Sequence, residues 1–406
     1  MRVLFVTWDG AAQSYVESLF APIFAALRAR GVETHILQFS DAPPEHVERT
    51  RAACVAAGLG YVHHRLVVRP RALAAAAWVL PGALRIATLV RELGIDVVMP
   101  RAIVPAAMAL AARPLLGRTR LVWDADGLPA DERVEFAGWS PSGLPYRAFR
   151  AVERATLGAA PVVLCRTAAA ARILEQRRPP GATPGFVVVP NARDERLFRP
   201  LDPDDRAARR AVLGIEDDTL VFTAVGSLAP QYHPDAVVAL VRAVARRRKV
   251  RLIVLTGHEV VMHEAVRRGA LDPALVQVLR VPADDVPGWL QVADVGVALR
   301  EPSFSQQAVA PIKVSEYLLC GLPVVATRGV GDVEALVGDE AGWLLVDVTE
   351  RSIEELALVL GEVTAAALAT ARVAARERGV AACSMATAVQ RYMAALEVGV
   401  APAEAG

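Results

Sequence analysis

Apolar and polar positions fall in alternating blocks along this chain, and the blocks read as strands and helices in turn. Short apolar, β-branched runs occupy residues 3–7, 33–39, 60–66, 97–99, 120–123, 162–165 and 186–189. Helical periodicity fills most of the gaps between them; residues 18–30 are one example and stop at Gly31. Continuous apolar strands separated by helices predict a parallel sheet covered on both faces. Residues 190–200, with two prolines, a turn-forming Asn191 and mixed charge, interrupt this pattern. It then restarts with strands at 220–225, 251–256, 276–281, 295–299 and 324–327 and helices at 234–247, 287–292 and 313–320. The last periodic stretch, 382–396, predicts a terminal helix. The pattern therefore predicts an α/β chain of two doubly wound units, 1 to about 190 and about 200 to 385.

Length agrees, since 406 residues exceed one ordinary core. Hydrophobic residues make up 54% and charged residues 22%, a globular balance. The 45 basic and 44 acidic residues nearly cancel, which argues against a nucleic-acid binder. The basic run Arg246–Lys249 with Arg251 lacks interleaved aromatics and reads as a solvated helix end. Cys54, Cys165, Cys320 and Cys383 lie far apart in apolar runs and predict reduced core thiols. Met1 leads straight into a strand, with no signal-peptide pattern, so a cytoplasmic chain is expected. Residues 72–84 are apolar, carry Trp78 and are flanked by Arg69, Arg71, Arg85 and Arg91. They are too short to span a bilayer and are broken by Pro81. They read either as a buried helix pair or, across residues 66–91, as a basic, tryptophan-bearing face resting on a membrane.

In parallel sheets ligands bind beyond the carboxyl ends of strands, so the loops there carry the candidate chemistry. The most informative lies at 310–326. A helix opens with Lys313 and Glu316, three residues apart and so on one face, and stops at Gly321 and Pro323. A lysine at a helix start suits a diphosphate and a carboxylate one turn on suits two sugar hydroxyls. The plain alternative is a surface ion pair. After the first strand come Asp9, Gly10, Gln13 and Ser14. After strand 220–225 come Gly226 and Ser227, then His233, which supplies either a charge or a helix cap. Gly257, Pro282 and Glu301 mark three further strand ends. Asp124 and Asp126 end another strand as Asp-x-Asp, a pair able to hold a hard cation or orient a hydroxyl.

The Pro-x-Lys-x-x-Glu-Tyr run at 311–317 resembles a divergent branch of the family 4 nucleotide-sugar glycosyltransferases. So do the linker, with Pro190, Asn191, Asp194 and Phe198, and the Asp124, Gly127, Asp131 and Glu132 pattern. The resemblance implies the GT-B fold: two Rossmann-like domains facing across a cleft. It implies an acceptor domain at 1–190, a linker at 191–200, a nucleotide-sugar domain at 201–385, and a terminal helix and tail at 386–406 packing back on the first domain. It further implies retaining, metal-independent transfer to a glycan, lipid-linked or small-molecule acceptor in polysaccharide biosynthesis. Domain closure would assemble the site, and no cofactor is needed because the nucleotide-sugar is a substrate. Lys313 would meet the donor diphosphate and Glu316 the ribose, with Asp124 and Asp126 completing the catalytic set. Gly10, Gly226, Ser227, His233, Gly257, Pro282 and Glu301 would hold the donor, the nucleobase resting on the Gly257 and Pro282 loops. Asp9, Gln13, Ser14, Asp124 and Asp126 would face the acceptor. The chain departs from the family in several places: Ser227 replaces a loop arginine, no lysine follows before Asp235, and Ala308 replaces the first of two glutamates. Asp126 also replaces an arginine. A same-fold epimerase, a sugar-phosphate synthase and a non-catalytic nucleotide-sugar-binding relative are the alternatives.

Overall fold

The computed structural model describes residues 1–11, 15–66, 71–228, 231–338, 343–345 and 347–398, with residues 71–74 known by their backbone alone. Gln13 and Ser14 therefore lie outside the described residues. The chain divides into two units, Met1–Pro190 joined by the stretch from Met385 onward, and Asn191–Ser384.

The first unit is built on β1 (Arg2–Asp9), β2 (Glu33–Ser40), β3 (Gly60–Arg65), β4 (Val97–Pro100), β5 (Arg120–Asp124), β6 (Val162–Cys165) and β7 (Gly185–Val188). They pair in parallel in the order β3-β2-β1-β4-β5-β6-β7. Burial on both faces explains the unbroken apolar runs: Phe5, Val6, Val97, Val98, Val162 and Val163 are all but sealed from solvent. Winding reverses between β1 and β4, so their carboxyl ends flank the switch point where ligands bind in such sheets. The helix expected at 18–30 starts instead as a π-helical turn, Val16–Phe20, before Ala21–Arg28. Phe20 and Phe24 pack on Phe5 at 4.7 and 5.1 Å, and Phe24 meets Tyr392 of the C-terminal helix Met385–Glu397 at 6.1 Å.

Two expectations need correction. Residues 72–84 belong not to a helix pair but to one helix, Arg71–Leu93, which runs through Pro81. Pro81 sits on its exposed side, and the next turn is held by packing: Gly82 lies against Met108 of helix Ile103–Ala112, while Ala83, Ile86 and Ala87 are buried. Tertiary packing outweighs the lost hydrogen bond. Trp78 also turns inward, against Phe39 and His64 at 6.1 and 6.3 Å, and so does not face outward as a membrane anchor. The expected helix 382–396 is broken at Ser384, whose backbone is extended where the chain passes from one unit to the other.

The second unit carries β8 (Leu220–Val225), β9 (Val250–Leu255), β10 (Val276–Leu279), β11 (Val295–Ala298), β12 (Val324–Thr327) and β13 (Leu344–Leu345), in parallel order β10-β9-β8-β11-β12-β13. Its switch point lies between β8 and β11. The two-residue β13 was too short to show a pattern. The four cysteines are free and buried. The basic run is tied down: Arg246 pairs with Glu354, Arg248 donates to the Val363 carbonyl, and Lys249 pairs with Glu216 and Asp218.

Helix Ile312–Leu319 is pinned from behind by helix Ala365–Cys383 at Gly379. A Cβ there would lie 2.6 Å from the Leu318 carbonyl carbon and 2.7 Å from the Leu319 nitrogen. Alanine normally favours a helix over glycine by about 1 kcal/mol, but backbone cannot yield as a side chain can. Gly379→Ala is therefore expected to destabilise by about 1–3 kcal/mol, read as a drop of roughly 2–12 °C in the thermal midpoint. An unchanged or higher midpoint would refute this packing.

Candidate active site

At the second switch point, Gly226 follows β8 with φ of 106°, a conformation that favours glycine. Lys313 points at it: a Cβ on Gly226 would lie 3.8 Å from the Lys313 Nζ. The ammonium sits 4.2 Å from the centre of the Tyr232 ring. Arg300, which follows β11 and is 5% exposed, lies over the same ring with its guanidinium carbon 4.6 Å from the centre. Its Nη1 donates to the Tyr232 hydroxyl at 2.7 Å and its Nε to the Gln306 Oε1 at 2.8 Å. The loops after β8 and β11 are also joined by backbone, through a Tyr232–Arg300 bridge and a bond from the Glu301 amide to the Gln231 carbonyl at 2.9 Å. Gly226, Tyr232 and Lys313 line a hollow of about 20 Å³, room for one water.

Lys313 and Glu316 do not form the surface ion pair that their spacing allows. Glu316 is buried and accepts from Arg193 Nε at 2.8 Å, while among the described residues no carboxylate lies within 4.0 Å of Lys313 or Arg300. Burial and then the Arg300 charge lower the Lys313 amine from its ordinary value to about 7, against the opposite pull of Glu316. A buried carboxylate one turn from an uncompensated ammonium suits a ligand with hydroxyls beside an anion.

The other donor-side candidates lie at the carboxyl ends of strands. Ser227 is exposed. The Leu228 amide donates to His258 Nδ1 at 2.9 Å, fastening this loop to the one after β9. Gly257 is exposed and its carbonyl accepts from Arg280 at 2.8 Å, and Pro282 is exposed beyond β10. His233 stands at the cap position of helix Pro234–Ala245, yet its side chain makes no cap bond; it lies 3.0 Å from Glu301. The cap alternative is thereby overturned. Glu301 itself is half-exposed.

The first switch point gathers a different set. Asp9 ends β1, is 5% exposed, and accepts from Gln38 at 2.7 Å and Thr7 at 3.0 Å. Burial pushes its carboxyl up, against Gln38 and then the Arg101 charge. Gly10 is half-buried beside it. Asp124 is wholly buried and pairs with Arg166, the first residue beyond β6, with Arg101 Nη1 at 3.6 Å. It was expected to face an acceptor; it holds two guanidiniums instead and cannot meet a hydroxyl unless that pair opens. Asp126 does reach the surface, a third of its side chain exposed, and pairs with Arg101 Nη2 at 2.7 Å. Burial raises the Asp126 carboxyl, opposed by Arg101. Two non-glycine residues with positive φ, Ala102 at 59° and Asp126 at 50°, stand at this edge. Such strain clusters at functional sites.

Arg101, Arg166, Arg193, Tyr232, Arg300 and Gln306 escaped the reading of the sequence. Three of the arginines had a usable signal: each comes directly after or one residue beyond an apolar strand, which in a parallel sheet means the carboxyl edge. Among the described residues no group of three or more His, Cys, Asp or Glu side chains is placed to hold a metal.

Two family models match the chain: Glycosyltransferase Family 4 over residues 17–196 and Glycosyl transferases group 1 over residues 219–365. The D-inositol 3-phosphate glycosyltransferase of Segniliparus rotundus is 32% identical over 183 residues, 43% of this chain and 38% of that protein. The chain thus matches about two fifths of the length of that curated relative. Anabaena Alr3699/HepE, solved with UDP and glucose, superposes with a TM-score of 0.73 at 17% identity, covering 97% of this chain and 99% of that one. WaaG, a glycosyltransferase involved in lipopolysaccharide biosynthesis, gives 0.65 at 17% identity, covering 98% and 99%. At such identity these neighbours speak for the fold alone. With family models matching both units, the chain belongs to the family 4-like glycosyltransferases of the GT-B fold.

Proposed function

We propose that the chain is a retaining, metal-independent glycosyltransferase that moves a hexose from a nucleotide-sugar to a glycan, lipid-linked or small-molecule acceptor. The observation that carries this reading is Lys313: a half-buried ammonium beside Gly226 at the switch point of the second sheet, with no carboxylate within 4.0 Å among the described residues. Its chemistry calls for an anion, and Glu316 one turn away offers an oxygen to the ribose beside that anion. The resemblance and the solved neighbour with UDP and glucose support a nucleoside diphosphate as that anion.

In the step itself the acceptor oxygen bonds to the anomeric carbon as the bond from that carbon to the β-phosphate oxygen breaks. The acceptor proton passes to the departing phosphate, and Lys313 stabilises the charge that develops there. Asp126, partly exposed at the carboxyl edge of the first sheet, is the carboxylate assigned to the acceptor hydroxyl. The test is incubation with UDP-, GDP- and ADP-sugars with and without sugar and polyprenyl-phosphate acceptors, in EDTA. Free nucleotide released only when acceptor is present, with the anomeric configuration kept by NMR, is expected. Conversion of the nucleotide-sugar without acceptor would overturn the reading in favour of an epimerase.

No single described helix is long and apolar enough to cross a membrane. Helix Arg71–Leu93 still presents Ala76, Ala77, Leu80, Pro81 and Leu84 as an exposed apolar face, followed by Arg85 and Arg91. This supports work at the inner face of a membrane, where a lipid-linked acceptor resides. Leu80→Asp with Leu84→Asp is expected to abolish co-sedimentation with anionic phosphatidylglycerol vesicles; retained sedimentation would count against it.

A further inference from the structure

The family's phosphate-binding loop after β8 has lost its basic residues, because Ser227 stands where an arginine is usual and no lysine follows before Asp235. A diphosphate needs more positive charge than one lysine supplies. The second cation comes from the neighbouring strand. We propose that Arg300, held by Tyr232 and Gln306, is a donor-diphosphate ligand that takes over the work of the absent loop arginine.

Arg300 follows β11, on the opposite side of the switch point from the Gly226 loop. One aromatic ring holds it and Lys313 together, at 4.6 and 4.2 Å from its centre. Like charges gathered on one ring, Arg300 nearly buried and Lys313 half-buried, repel each other and lose hydration. Such an arrangement is unfavourable in an empty site and is relieved by a bound anion. The guanidinium is held in place without being neutralised. Tyr232 accepts one N–H and Gln306 another, leaving the rest of its five donors for a ligand. Gln306 adds to the case: it is fully buried, its Oε1 is taken by Arg300, and its Nε2 has no hydrogen-bond partner among the described residues. Buried donors in native proteins are satisfied, so an orphan beside the Arg300 guanidinium marks a missing acceptor. Tyr232 is then a positioning residue, acting through Arg300.

The inference rests on the proposed function, and the test separates the two. Calorimetric titration with UDP, GDP and ADP, and with UMP, GMP and AMP, measures what the second phosphate adds. Arg300→Gln is expected to weaken the preferred diphosphate by about 10- to 100-fold and its monophosphate by no more than about twofold. Tyr232→Phe, which keeps the ring but removes the hydroxyl, is expected to give a smaller loss of the same kind. Arg300→Lys is expected to lie between wild type and Arg300→Gln, because it restores charge without the fork. Equal losses for mono- and diphosphate, or none, would overturn the role of Arg300 and leave the glycosyltransferase reading standing. Failure of the wild-type chain to bind any of the diphosphates would overturn both.

Discussion

Lys313→Ala is expected to lower kcat/KM for transfer by roughly 10²–10³-fold, the usual cost of removing one preorganised group that stabilises developing negative charge. The fold should survive it. The ammonium is half-buried and without a carboxylate within 4.0 Å among the described residues, so its removal deletes an unfavourable charge and leaves no partner stranded. The thermal midpoint is expected to stay level or rise. The pH dependence sharpens this. In the free protein, burial and then Arg300 lower the amine to about 7. Below about pH 7 it carries its proton and attracts a diphosphate; above, the proton is lost. The alkaline limb of kcat/KM, which reports the free protein, should therefore fall from about pH 7 upward. A bound diphosphate favours the charged form, so the limb in kcat should lie higher. Lys313→Arg should remove the limb, because arginine stays charged. Arg300→Gln should move it to higher pH by relieving the repulsion. A profile unaffected by both changes would refute the placement of this pair at the donor.

Asp124→Ala is expected to cost about 3–5 kcal/mol, the penalty for stranding a buried charge, and to lower the midpoint of the first unit by roughly 6–20 °C. Arg166, 5% exposed, would lose its carboxylate, and Arg101 would keep only Asp126. Asp124→Leu combined with Arg166→Met should cost less than either change alone, because no uncompensated charge then remains. Additive losses would show that the two side chains do not act as a pair. A catalytic Asp124, as its position after a strand suggested, would instead lose turnover with an unchanged midpoint. The experiment therefore decides between the buried ion pair and the expected acceptor role.

Both parallel sheets were legible because burial on two faces forces a strand to be apolar throughout, and that pattern survives in one dimension. The strands at 162–165, 220–225 and 324–327 were placed to the residue, and the other stated strands within two at either end. The loops that would carry chemistry followed from the same rule. Errors came where a local signal met tertiary packing. Pro81 reads as a helix break, yet packing against the helix that carries Met108 brings the chain through it. Trp78 reads either as a buried side chain or as a membrane anchor, and Phe39 and His64 decide for the inward site.

What the sequence determined by itself was the two-unit parallel fold, its restart after the linker, and Lys313 and Glu316 on one face of a helix start. These depend on spacing and composition within a few residues of each other. Only the tertiary structure decided how the charges are partnered. It gave Glu316 to Arg193, sealed Asp124 against Arg166, left Asp126 partly exposed on Arg101, and set Arg300 beside Lys313 on the Tyr232 ring. Partners in these pairs stand from about a dozen residues to more than a hundred apart in the chain. Electrostatic energy depends on distance in space and on burial, and neither is written in the order of the residues.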